Sequence, residues 1–221
     1  MSYIFPNTCI YCGQVLPDNM SVCSTCRTKL PKIQNTICQY CGNEITMCTC
    51  KVGDFAFKRN ISVYRYEGVV KTLVTRMKYH SKPQLCVFMA QQMLEAINLH
   101  YADIKFDVVT HVPMFPTKVL ARGYNQSKVI ACHIASKLGI NEQQLLYKRL
   151  GMKTQKRLSR KDRRKNVHNK FYTKYDITSK TVLLIDDIMT TGSTLSECAL
   201  MLKKGGAKAV YCATFAITCK K

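Results

Sequence analysis

Eight cysteines fall within the first 50 residues, and they constrain the fold of this chain more than any other feature. They come as Cys9-x2-Cys12, Cys23-x2-Cys26, Cys38-x2-Cys41 and Cys48-x-Cys50. Zinc prefers four soft thiolates in a tetrahedron, and a C-x2-C turn lets two sulfurs point at one ion. Gly13 and Gly42 each directly follow a C-x2-C. A glycine there permits the tight turn that brings backbone amides towards the sulfurs. Sequential pairing of the knuckles gives two ribbons; an interleaved pairing uses the same cysteines. Either way eight thiolates saturate two zinc ions and leave no open position for water, so the expected role is structural. Residues 1–52 sustain no apolar period and need such a staple to fold. The other five cysteines, Cys86, Cys132, Cys198, Cys212 and Cys219, are scattered singly through apolar stretches. They read as small buried hydrophobes.

Beyond residue 52 the pattern changes, and residues 53–221 are expected to form a second, larger domain. Strand signals at Ile61–Tyr66, Asp107–Val112, Thr181–Ile185 and Ala209–Ile217 alternate with helical periodicity. One helix is marked by Val69, Val70, Leu73, Val74 and Met77, and a second by Leu85, Met89, Met93 and Ile97. A third runs through Val129, Ile130 and Ile134 to a stop at Gly139, and a fourth carries Leu195, Cys198, Ala199 and Leu202. Alternation of this kind argues an α/β fold with a mostly parallel sheet flanked by helices. No apolar run reaches the ~18–20 residues that span a bilayer. The N-terminus does not read as a signal peptide, so a soluble cytoplasmic protein is expected.

The formal charge is +21. A balance so basic implies a polyanionic partner, whether nucleic acid, an acidic membrane surface or a polyphosphate; a general lysine bias is the plainer explanation. The charge is concentrated. Between Lys148 and Lys174 there are 12 lysines or arginines against one acid, Asp162. That stretch reads as a mobile basic loop plus an edge strand around Val167–Tyr172. Its densest part holds Lys156, Arg157, Arg160, Lys161, Arg163, Arg164 and Lys165, cations that repel one another unless solvated or paired with an anion. A single DNA strand could use most of them. Tyr147, Phe171, Tyr172 and Tyr175 flank the segment; they are candidates for stacking on bases, or else sheet core.

The most specific chemistry lies at residues 182–194, VLLIDDIMTTGST. Val182 to Ile185 bury a strand, and Asp186 and Asp187 follow at its C-terminal end, where open α/β sheets bind ligands. Thr190, Thr191, Gly192, Ser193 and Thr194 then form a turn into a helix, whose amides and hydroxyls suit a phosphate. Paired acids beside such a nest suit a sugar phosphate, because they accept hydrogen bonds from vicinal ribose hydroxyls.

This segment resembles the signature by which type I phosphoribosyltransferases bind phosphoribosyl pyrophosphate (PRPP). Residues 111–127, HVPMFPTKVLARGYNQS, look like the pyrophosphate-loop region of ComF-type competence proteins, with the R-G-[FY]-N-Q string at Arg122 to Gln126. Lys153-Thr154-Gln155, Leu158, Arg163 and Asn166 look like a further segment of that family. With the cysteine module in front, the resemblance covers nearly the whole chain. It implies a type I phosphoribosyltransferase-like fold behind a small zinc-ribbon module. Asp186 and Asp187 would face the ribose and Thr190 to Thr194 the 5′-phosphate. Arg122 would face the pyrophosphate with Mg²⁺, and Lys118 would help to stabilise it. The Mg²⁺ would be held mainly by ligand and water. The resemblance also implies handling of incoming single-stranded DNA in natural transformation, beside the DNA-uptake machinery of the inner membrane. Purine-type members carry an aspartate where this chain has Thr190, so purine salvage is not expected. No hood segment for a nucleobase is evident, unless residues 55–106 supply one. Three readings follow: a DNA-handling protein with a PRPP site, a phosphoribosyltransferase of unknown acceptor, and a ligand sensor that binds PRPP without turnover.

Overall fold

The computed structural model describes residues 7–17, 20–34, 36–79, 83–149 and 170–218. Its centre is a four-stranded sheet in the order β1-β6-β5-β2, with every pairing parallel. The strands are β1 (Arg59–Arg65), β2 (Val108–His111), β5 (Thr181–Met189) and β6 (Ala209–Ile217). Helices α2 (Gly68–Tyr79), α3 (Pro83–His100) and α5 (Gln126–Leu138) connect β1 and β2 to the rest, and α6 (Ser193–Lys204) crosses from β5 to β6. A short α1 (Ser24–Thr28) belongs to the cysteine module, and α4 (Pro116–Arg122) follows β2.

Alternation along the strands sends successive side chains to opposite faces. Ile61, Val63, Val109, Leu183, Ile185, Ala213 and Phe215 join α2, α3 and α5 in one apolar cluster. Val182, Leu184, Val210 and Cys212 meet Leu195, Cys198, Ala199 and Leu202 of α6 in the other. Both faces of the sheet are covered, which is why β5 and β6 read as near-continuous apolar runs. On α2 the residues Val70, Leu73, Val74 and Met77 are fully buried. Each such side chain contributes about 1.5–3 kcal/mol of burial, and Met77→Ala would open a cavity costing about 2–5 kcal/mol.

Several expectations need correction. β5 does not stop at Ile185; it runs through both aspartates to Met189, held by β6 as far as Met189↔Ile217. The strand expected around Val167–Tyr172 is seen among the described residues at Phe171–Tyr172. Its described part, β4 (Phe171–Tyr172), pairs antiparallel with β3 (Tyr147–Lys148) in a separate two-stranded ribbon. Cys86, Cys198 and Cys212 are buried, but Cys132 is exposed, and Cys219 lies outside the described residues. Residues 55–106 largely form β1, α2 and α3.

Candidate functional site

The two cysteine groups resolve the pairing question. Cys9, Cys12, Cys23 and Cys26 form one cluster, and Cys38, Cys41, Cys48 and Cys50 form the other, with all sulfurs in each cluster within 4.8 Å of one another. This is the sequential scheme. Tetrahedral zinc with bonds of ~2.3 Å separates its sulfurs by about 3.8 Å. The Sγ distances Cys12–Cys23 of 3.7 Å, Cys38–Cys50 of 3.6 Å and Cys41–Cys48 of 3.5 Å fit such a cage. Backbone amides of Cys23 and Tyr40 point at the sulfurs of Cys9 and Cys38. Burial would raise the Cys9 and Cys38 thiols, but the surrounding amides outweigh it and bring them down to about 6 and about 7. Burial and their neighbouring thiols push Cys26 and Cys50 up to about 12. Four crowded thiols cannot all ionise without a cation, and a bound dication supplies it. With four sulfurs engaged no position is left for a substrate, so each site is structural.

The second chemistry lies at the C-terminal end of β5. β2 leaves the sheet after His111, the amide of Val112 donating to the carbonyl of Ile185. Pro113 follows. Asp186 and Asp187 therefore lie on β5 beyond its pairing with β2. Asp186 accepts a hydrogen bond from the Ser127 hydroxyl at 2.8 Å and from the amide of Asp187 at 2.9 Å. Burial, and then the charge of Asp187, push its carboxyl up to about 7. Asp187 is buried and pairs with Lys78 Nζ at 2.8 Å. Cys198 and Cys212 stand near Asp186, and burial keeps both thiols neutral.

After Met189 the chain turns into α6. Thr190, Thr191, Ser193 and Thr194 are exposed, and Gly192 is buried at φ +76°. A Cβ on Gly192 would lie 2.5 Å from a Phe55 ring carbon and 2.6 Å from Met189 Cε. Glycine is required twice there, by conformation and by space. Thr191 Oγ1 and Ser193 Oγ lie 2.8 Å apart. The first turn of α6 has no side-chain cap and no acidic residue. Its amide ends and two hydroxyls offer anion-binding donors. A cleft of about 360 Å³ opens beside this turn, and its other wall is the second ribbon, including Asn43, Cys48 and Cys50.

Lys118 and Arg122 lie on α4, a helix with no buried residue. Lys118 is exposed; Arg122 donates to Gln126 Oε1 at 3.3 Å and lies 5.5 Å from the Tyr79 ring centroid. The stretch that resembles a pyrophosphate-loop region is thus helical over Pro116–Arg122. Lys156, Arg157, Arg160, Lys161, Arg163, Arg164 and Lys165 lie outside the described residues. Sequence reasoning missed Lys78, Ser127 and Lys148. Ser127 ends the family-like string at 111–127, so a signal was present. Lys148 Nζ sits 4.1 Å from the Phe115 ring centroid and 5.2 Å from that of Phe171. Burial, and then Lys118, lower its ammonium pKa, while Asp186 pulls the other way. Among twelve cations in its segment nothing marked it out. Lys78 carried no signal in its spacing.

Ribbon and site together define the class: a double zinc ribbon joined to a phosphoribosyltransferase-fold domain. Residues 1–53 match the double zinc ribbon domain, and residues 126–221 match the phosphoribosyl transferase domain. Over most of its length the chain is similar to proteins of known name. It is 26% identical to "Competence protein F" of Haemophilus influenzae, covering 95% of this chain and 96% of that protein. It is 25% identical to "DNA utilization protein YhgH" of Salmonella typhi over 93% of this chain and 94% of that one. It is 29% identical to "Competence protein ComFC" of Bacillus subtilis, over 89% and 84%. The resemblance to ComF-type proteins is borne out. No helix among the described residues is long and apolar enough to cross a membrane.

Proposed function

We propose that the end of β5 and the turn that follows it bind PRPP or a related sugar phosphate with Mg²⁺, and that the chain handles single-stranded DNA in natural transformation. One observation carries the first half. Asp186 and Asp187 lie where β2 has left the sheet, one turn before an uncapped helix N-terminus bearing two hydroxyls. The carboxylates would accept from a ribose diol, and the turn from Thr190 to Thr194 would hold the 5′-phosphate. Arg122 and Lys118 would meet the pyrophosphate and its Mg²⁺. The second half is supported by the basic stretch, with Lys156 to Lys165 as the phosphate contacts, and by the names of the relatives. The ribbons of residues 1–52 would serve as a structural module, and partners at the inner membrane would bring the chain to incoming DNA.

Calorimetric titration with PRPP, with and without Mg²⁺, tests the sugar-phosphate site; absence of binding in both would overturn it. A single-strand titration against salt tests the DNA site. Each phosphate contact adds ~0.7 to the slope of log affinity against log salt. Replacing four of the seven cations, sparing Arg163, should flatten that slope by up to ~3. An unaltered slope would move the DNA site elsewhere.

A second reading is a phosphoribosyltransferase of unknown acceptor. Lys148 favours it, since a half-buried cation near Asp186 and Lys118 suits a departing pyrophosphate. Release of pyrophosphate from PRPP in the presence of nucleobases would establish it.

A further inference from the structure

The two-stranded ribbon of β3 and β4 has two unlike faces. Tyr147 stands opposite Tyr172, and Lys148 opposite Phe171. The period of two sends these pairs to opposite sides. Phe171 is 2% exposed, and with Lys148 and Phe115 it forms the inner side. Core is thus the right reading for Phe171, but not for the three tyrosines. On the outer side the rings of Tyr147 and Tyr172 stack with centroids 5.5 Å apart and planes at 28°. Tyr175 joins Tyr147 at 6.4 Å and 30°, with the two hydroxyls 3.2 Å apart. Tyr175 is 39% exposed.

Cations flank the stack. Lys174 Nζ lies 5.1 Å from the Tyr147 centroid, and Arg149 Cζ lies 5.8 Å from that of Tyr172. Beside the rings runs an open groove of about 530 Å³, lined among others by Tyr172, Lys174, Tyr175 and Lys204. The acid in this groove, Asp176, accepts from the amide and hydroxyl of Thr178. Those bonds hold its carboxyl below the usual carboxylate range.

Aromatic rings on a surface, with cations at their margins and a groove alongside, match the two things a single strand offers. Its unpaired bases have π faces that stack on any aromatic ring, and its phosphates follow a cationic groove. A duplex hides those faces. We infer that Tyr147, Tyr172 and Tyr175 form a base-stacking platform for single-stranded nucleic acid, with Arg149, Lys174 and Lys204 meeting its phosphates. This rests on the reading that the chain handles single strands, and it adds base-contacting residues to the cation run at 156–165.

The test compares two oligonucleotides of equal length and charge, one oligothymidylate and one with abasic residues, titrated against the full zinc-loaded chain at fixed salt. Wild type should bind the thymidylate about 5- to 100-fold more tightly. Tyr175→Leu should shrink that preference, Tyr147→Leu with Tyr175→Leu should nearly remove it, and Tyr175→Phe should keep it. Equal affinity of wild type for both strands would overturn the platform while leaving single-strand handling intact. A preference that survives both leucine substitutions would do the same. Failure to bind either strand would overturn both.

Discussion

The two zinc ribbons use the same four-sulfur chemistry on opposite sides of the sheet. Cys9, Cys23 and Cys26 pack into the cluster built by α2, α3 and α5. Cys38 and Cys41 pack into the cluster on the α6 side, and Cys48 and Cys50 lean against it. The first ribbon is tied to α3 by the Ser21 hydroxyl on the Gln84 carbonyl and by Arg27 to Glu95 at 3.7 Å. The second is bonded into the sheet itself. The Asn60 amide of β1 donates to the Tyr40 carbonyl and its side chain donates to that of Cys41. Arg65 of β1 meets Glu44 at 3.1 Å. Only the second ribbon walls the cleft beside Thr190, Thr191 and Ser193. A shared four-cysteine ligand set therefore says nothing about what a ribbon supports; that is decided by the surface it lands on.

The largest effect should come from the metals. About two zinc ions per chain are expected, each bound with ~10–16 kcal/mol of apparent free energy. Cys12→Ser and Cys48→Ser should each lower the metal count by one. Cys48→Ser should also weaken PRPP binding, by about tenfold or ~1.4 kcal/mol, and Cys12→Ser should not. Equal losses of PRPP affinity would erase the distinction between the ribbons.

Next come the two carboxylates at the end of β5. Asp186→Asn and Asp187→Asn should each cost about 1.5–3 kcal/mol in PRPP affinity, read by calorimetry. Stability should move the other way for Asp186. Its carboxyl rises from 3.8 to about 7 on folding. Between those values the folded chain keeps a proton that the unfolded chain has released, so stability falls as pH rises through this window. Asn retains the oxygen that accepts from Ser127 and from the Asp187 amide. Asp186→Asn should therefore raise the melting temperature above pH 7, with the gain vanishing near pH 4. A gain independent of pH would deny the raised carboxyl.

The glycines sharpen the contrast further. Gly13 and Gly42 occupy equivalent turns at φ +79° and +74°. A Cβ at Gly13 meets nothing, whereas one at Gly42 would lie 2.5 Å from the Asn60 carbonyl oxygen. Gly13→Ala should cost about 1–2 kcal/mol of backbone strain. Gly42→Ala adds the clash with β1 and should cost on the order of 2–5 kcal/mol in denaturant unfolding. The smallest test concerns the ion pairs. Arg27 and Glu95 are both more than half exposed, so Arg27→Ala should stay within about 0.5 kcal/mol. Glu44 is 13% exposed and also accepts from the Gln34 amide. Glu44→Ala should cost about 1–2 kcal/mol.

What could be read beforehand was local. The cysteine spacing, the apolar run into Asp186 and Asp187 and the stop at Gly139 each lie within a few residues, and each appears as expected. Long-range consequences could not be read. Lys78 reaches Asp187 across more than 100 residues of chain, and no periodicity encodes that meeting. β5 outlasts its apolar run because β6 supplies backbone partners beyond it, Asp186 facing Thr214 and Met189 facing Ile217. Within the stretch at 111–127 that resembles a pyrophosphate-loop region, Pro116 at the first helical turn and Gly123 at φ +81° bracket a helix by simple capping rules.

The ribbon of β3 and β4 carries a consequence for register. Each strand has two residues, so little backbone pairing holds the alignment. The alignment is pinned from one side: Lys148 lies over Phe115 and Phe171, and the Lys170 amide donates to Glu197 of α6 at 2.8 Å. A slip of one residue would carry Lys148 out to solvent and drive Tyr147 inward. The cation near Asp186 and the outer tyrosine stack would be lost in the same step. The two proposed surfaces thus share a single point of failure, one residue of register.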